Sequence, residues 1–223
     1  MSHHIRNKSS YLSKIYSLSL LFTISFLTFS FTTSQLQEEQ SWDRQQYAQI
    51  SAEDFRKEAT LNQKFDTEKI DYALINACLF FLANEQRIKQ GLKPLVYAPQ
   101  LEIAAWHHSK MMLELDFFDH SNLKNSSRAS TQQRAKLAGI DNPFIAENIA
   151  YQGASLGKST YLEIAEIFIN QWMNSPGHRN NILSDKALQM GCGLYTDGKK
   201  WYATQCFQWF REIKPTQGQD KLP

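Results

Sequence analysis

Three polar stretches of the chain carry residue types able to hold a metal ion or move a proton. They are Phe117-Phe118-Asp119-His120-Ser121, Ala146-Glu147-Asn148-Ile149-Ala150 and Asn174-Ser175-Pro176-Gly177-His178-Arg179-Asn180-Asn181-Ile182-Leu183. Brought together, His120, His178 and Glu147 make a His₂Glu set. Such a set can hold Zn²⁺ with water in the fourth position, or act as a general acid/base group. The intervals of 27 and 31 residues between them have nothing of a short metal-binding repeat, so only a fold can assemble them. The plainer alternative is that both imidazoles hydrogen-bond across a polar cleft while Glu147 accepts backbone N–H groups. Ser175, beside His178, invites a nucleophile reading, but the Pro176-Gly177 pair reads as a helix stop and no strand-to-helix elbow surrounds it. His108 lies on an apolar helical stripe and reads as a core histidine.

The elements that must position these groups are legible in outline. Ile70, Leu74, Ala77, Phe81 and Ile88 recur at three and four residues, predicting a helix capped by Asp66 or Thr67 and ended by Gly91. Asn84 and Arg87 on it read as ties to neighbouring loops. Further helices are expected over Pro99–Leu115, Ser130–Ala138 and Thr160–Met173. Ala187–Tyr195 and Trp201–Trp209 flank Asp197-Gly198-Lys199-Lys200, a hairpin pattern. Helices followed by a terminal hairpin, without alternating βα units, predict an α+β domain over residues 64–210. Residues 35–63 read as a polar linker with one short amphipathic helix from near Ser51, and residues 211–223 as a flexible tail.

The 223 residues hold 24 Lys+Arg against 22 Asp+Glu, but Arg6, Lys8 and Lys14 precede the first acidic residue, Glu38. Beyond residue 34 the balance is 21 basic against 22 acidic. So even a distribution gives no electrostatic reason to bind nucleic acid. The three charges are followed by the uncharged run Ile15–Phe31 and by the small residues Thr32, Thr33 and Ser34. Residues 1–34 therefore read as a signal peptide, or as an N-terminal anchor if uncleaved. The expected location is secreted, periplasmic or extracellular, with membrane contact only in the uncleaved case.

Read together, Asn84–Leu95 (NEQRIKQGLKPL), Ala104–Met112 (AAWHHSKMM), FFDHS, Arg134–Ile140 (RAKLAGI), AENIA, WMNSPGHRNNIL and MGCGLY…WYATQCF resemble the CAP superfamily. This superfamily comprises the cysteine-rich secretory, antigen 5 and pathogenesis-related 1 proteins, also called SCP domains. The resemblance covers about Asp66–Phe207 and is of the bacterial type, since Arg-Asn-Asn-Ile-Leu follows His178. It implies a three-layer α-β-α sandwich, with a small antiparallel sheet between helical layers and a cleft lined by His120, Glu147 and His178. The family's fourth cleft position, three residues after Trp172, falls on Ser175, so a second carboxylate is missing. A divalent metal such as zinc is then expected to bind weakly or not at all. Cysteines at the places of Cys192 and Cys206 are paired in several family members, which implies a disulfide. A three-residue loop, Gly198–Lys200, would set these two opposite each other, whereas an Asp197-Gly198 turn would set Cys192 opposite Ala203. Cys78 reads as a small buried hydrophobe. The function implied is a non-catalytic binding module for a small apolar or lipid ligand, a divalent metal or a cell-surface protein. The alternative is a metal-dependent hydrolase using His120, His178 and Glu147.

Overall fold

In the computed structural model a central sheet is built from β1 (Val96–Tyr97), β2 (Ile145–Gln152), β3 (Ala187–Thr196) and β4 (Trp201–Trp209). The structure describes residues 41–153, 156 and 159–223. All of these belong to one unit, residues 37–223. The leader expected over residues 1–34 lies outside the described residues. Among those described, no helix is long and apolar enough to cross a membrane.

The strands lie in the order β1-β3-β4-β2, with β2–β4 and β4–β3 antiparallel and β1 parallel to β3. The sheet is therefore mixed rather than wholly antiparallel. On one face pack α2 (Pro99–Glu114) and α3 (Thr131–Leu137), and on the other α1 (Tyr72–Lys89), α4 (Tyr161–Asn174) and α5 (Pro176–Ile182). This is the expected α-β-α sandwich. Each helix start has a local cause. Asp71 accepts from Leu74 N at 2.9 Å, Pro99 and Pro176 open α2 and α5, and Ser130 and Thr160 form capping boxes. The cap of α1 is thus Asp71, beyond the expected Asp66 or Thr67. The second layer lies close against the sheet because β3 carries glycine where α2 crosses it. A Cβ on Gly193 would sit 2.1 Å from Trp106 N, and one on Gly191 2.1 Å from Glu102 N.

Residues 41–63, expected as a linker, fold instead as short 3₁₀ turns whose Trp42, Phe55 and Leu61 join the main core. Tyr47 stacks on Tyr97 with centroids 3.8 Å apart, and Arg44 pairs at 3.0 Å with the fully buried Glu102 carboxylate. That carboxylate also receives the Tyr97 hydroxyl and Asn76 Nδ2. This covering layer explains why α1 is buried nearly all round. Residues 211–223 are not a free tail either: Asp141 N donates to Lys214 O, Thr216 N to Gly139 O, and Asp220 is buried.

The hairpin register settles the cysteines. Thr196 pairs with Trp201 across a four-residue loop, so Cys192 faces Gln205 and Cys206 faces Gly191. Residues offset by one point to opposite faces of a sheet. Cys192 lies in the core beneath α1 and α4, and Cys206 packs beneath α2 and α3. The disulfide implied by the resemblance is replaced by three buried free thiols. Unreduced protein unfolded in denaturant is expected to titrate three thiols with a chromogenic disulfide reagent. A count of one would contradict this register.

Candidate functional site

The site is built around β2, an edge strand whose alternate residues serve opposite faces of the sheet. Glu147 points to the α2/α3 side and its neighbour Asn148 to the α4/α5 side. AENIA is the middle of this strand, held in register by β4 from Ile145↔Gln208 to Gln152↔Trp201.

The Glu147 side chain is buried, and its carboxylate is surrounded by donors. Arg134 Nη2 lies 2.7 Å from Oε2 and 3.0 Å from Oε1, and His120 Nδ1 lies 2.9 Å from Oε1. His108 Nε2 is 3.8 Å from Oε1 but bonds Asp119 O at 3.1 Å. Arg134 also donates to the carbonyls of His120 and Arg128, at 3.0 and 3.1 Å, so one guanidinium ties α3, the loop from 116 to 128 and β2 together. Burial alone would raise the Glu147 carboxyl, yet the His120 hydrogen bond and the charge of Arg134 hold it below the usual glutamate value. The same hydrogen bond raises His120 against its own partial burial. His108 is pushed down to about 4, chiefly by burial.

On the other side, Asn148 Nδ2 donates to His178 O at 3.1 Å and to Gln205 Oε1 at 3.1 Å. Asn181 Nδ2 donates to Asn148 Oδ1 at 2.9 Å. His178 sits on α5, a helix that begins at the Pro176-Gly177 pair that reads in the sequence as a helix stop. Its imidazole is lowered by burial and by the facing His120, and its buried Nδ1 has no partner among the described residues. Ser175 joins α4 to α5 and makes no side-chain hydrogen bond to His120, Glu147 or His178. Asn84 and Arg87 tie loops as expected, through Leu95 and through the carbonyls of Lys93, Ile182 and Ser184. The His178 segment is held against β2 by Asn181.

The structure therefore brings His120, Glu147 and His178 to one edge of the sheet, but not as three equivalent ligands. Both Glu147 oxygens lie within reach of a permanent cation, so a divalent ion bound there would be repelled by Arg134. Glu147 does not fit a metal-ligand role, and with its carboxyl held low it is a poor general base. Its relation to His120 is that of an orienting carboxylate: it fixes Nδ1 and leaves Nε2 facing outward. Arg134 is the residue that sequence reasoning missed. Its one signal was an arginine on the short apolar face of Ala135 and Ala138.

The family model for CAP, the cysteine-rich secretory protein family, matches residues 80–209. The chain belongs to this family. A protein of Bacillus subtilis strain 168, YkwD, is 35% identical over 120 residues, which are 54% of this chain and 42% of that one. The membrane protein YlbC of the same strain is 30% identical over 126 residues, 56% and 32% of the two chains. A crystal structure of an extracellular SCP-domain protein from Bacillus anthracis str. Ames superposes with a TM-score of 0.50 at 26% identity, covering 63% of this chain and 42% of that one. The chain spans less than half the length of each of these relatives.

The electrostatics of this CAP domain predict its acid response. A histidine held neutral in the folded state, well below its unfolded value of 6.5, contributes stability that is complete above that pH. It is lost as pH falls from 6.5 towards about 4. The shift corresponds to about 3 kcal/mol. His120, raised instead, contributes stability below its unfolded value that fades as pH rises, so it does not add to acid lability. In urea unfolding, wild type is expected to lose about 2 kcal/mol more than His108→Gln between pH 7 and 4.5. Parallel pH profiles for the two proteins would show that His108 does not carry this term.

Proposed function

We propose that this chain is an exported CAP domain acting as a non-catalytic binding module whose ligand enters between His120 and His178. The observation that carries this reading is the engagement of Glu147 by Arg134 and His120. The one carboxylate of the set is committed to holding the cleft wall, so it is not free to act as a general base beside the imidazoles. Ser175 in place of a second carboxylate supports the same view. Export is supported by the uncharged run Ile15–Phe31 behind three basic residues and by the extracellular SCP-domain relative.

The class of ligand is one with an apolar part. Phe118, two residues from His120, is 51% exposed, and its ring lies 6.2 Å from both Tyr151 and Tyr202, which pair across β2 and β4. An exposed aromatic supported by two others, two residues from the half-exposed His120 imidazole, suits an amphipathic small molecule or an apolar side chain of a protein partner.

The competing reading, a metal-dependent hydrolase, is separated by calorimetry and turnover. Zinc titrated into wild type, His120→Ala and His178→Ala is expected to show no site tighter than about 1 µM, about 8 kcal/mol of binding. The fluorescent apolar probe anilinonaphthalene sulfonate is expected to bind Phe118→Ala several-fold more weakly than wild type. Zinc-dependent ester or phosphoester hydrolysis, lost in a folded Glu147→Gln variant, would overturn the proposal.

A further inference from the structure

The C-terminal segment brackets α3 at both ends. At the C-terminal end of the helix, the carbonyl of Leu137 accepts from Gln219 N at 2.8 Å and Asp220 N at 3.1 Å, and Gly139 O accepts from Thr216 N at 2.9 Å. The two backbones touch: a Cβ on Gly218 would lie 2.7 Å from the Ala138 carbonyl carbon. Ahead of the helix, both Asp220 oxygens pair with the guanidinium of Arg128, in a fork–fork arrangement. The segment also reaches α2, where His107 Nε2 meets Lys221 O at 2.9 Å.

Arg128 and Arg134 are joined through the backbone. Arg134 Nη1 donates to Arg128 O, while Arg134 Nη2 holds Glu147 and His120 O. A seven-residue helix such as α3 has little stability of its own. Its position, and with it the direction of the Arg134 fork, is set by what packs on it.

We propose that Asp220 and Arg128 form a positioning pair for the cleft: the C-terminal segment is a latch that fixes Arg128 O, hence the Arg134 guanidinium, hence the Glu147–His120 pair. Asp220 touches none of the cleft residues, so its influence runs through Arg134. The inference concerns how the cluster is held rather than what the cleft takes, and it stands or falls separately from the binding role.

The guanidinium of Arg134 supplies the readout. With acceptors on both Nη groups and the side chain buried, rotation about its Cζ–Nε bond and proton exchange are slow. These rates are measured by nitrogen-15 NMR on the full chain, with the buried Arg87 as internal reference, since Arg87 bonds the carbonyls of Lys93, Ile182 and Ser184 away from the latch. Asp220→Ala is expected to speed Arg134 exchange at least tenfold while leaving Arg87 unchanged, and Asp220→Glu is expected to restore most of the protection. Arg128→Lys keeps a cation but loses the fork, and is expected to give an intermediate rate if Asp220→Ala proves too unstable to study. Unchanged Arg134 exchange in a folded variant overturns the latch. An equal acceleration at Arg87 overturns it too, since that would reflect general loosening.

Discussion

A carboxylate placed inside a protein must be compensated, and the buried charge of Glu147 is the constraint around which the functional edge of this domain is arranged. Removed from water, it would cost several kcal/mol if left alone. Arg134 supplies the opposite charge, His120 supplies a second donor, and the Arg134 Nη groups also donate to the carbonyls of His120 and Arg128. Satisfying one charge thus fixes α3 and the loop from 116 to 128 against β2. The outward nitrogen of His120 is a by-product of that arrangement, held by an orienting carboxylate.

The second constraint is the alternation of a strand. Glu147 and Asn148 are adjacent in sequence and point to opposite layers, so a single dipeptide organises both walls of the cleft. Glu147 holds His120 from the α2/α3 side, and the Asn148–Asn181–Gln205 network holds the backbone of His178 from the α4/α5 side. A loop could not impose this division. The charge of His120 adds to burial in lowering His178, and each imidazole is placed from its own side of one strand, a division that follows from the strand's period of two.

Much of the frame was legible because its signals are local. Ser130, Thr160 and Pro99 mark helix starts by chemistry that acts within one turn, and the hairpin strands carry their own aromatic and β-branched residues. β2 was not legible as a strand, since Ala146, Glu147, Asn148 and Ala150 have little strand preference and take that form only by pairing with β4. Trp42, Phe55 and Leu61 lie in a Gln- and Glu-rich stretch without periodicity, so their place in the core depends on α1 being exposed to receive them. The cysteines misled because a hairpin loop one residue longer reverses which faces two positions share. Family resemblance found the three cleft residues but not their division of labour, which depends on a charge partner 13 residues away on another element.

The central claim is that Arg134 and Glu147 act as one unit, and a double-mutant cycle in urea unfolding tests it most directly. Arg134→Met and Glu147→Gln each leave the other group without its partner and are each expected to cost about 3 to 5 kcal/mol. The double variant is expected to cost far less than their sum, with a coupling of at least about 2 kcal/mol. Additive losses would mean that the two side chains are held independently, and would contradict a cleft organised around their pairing.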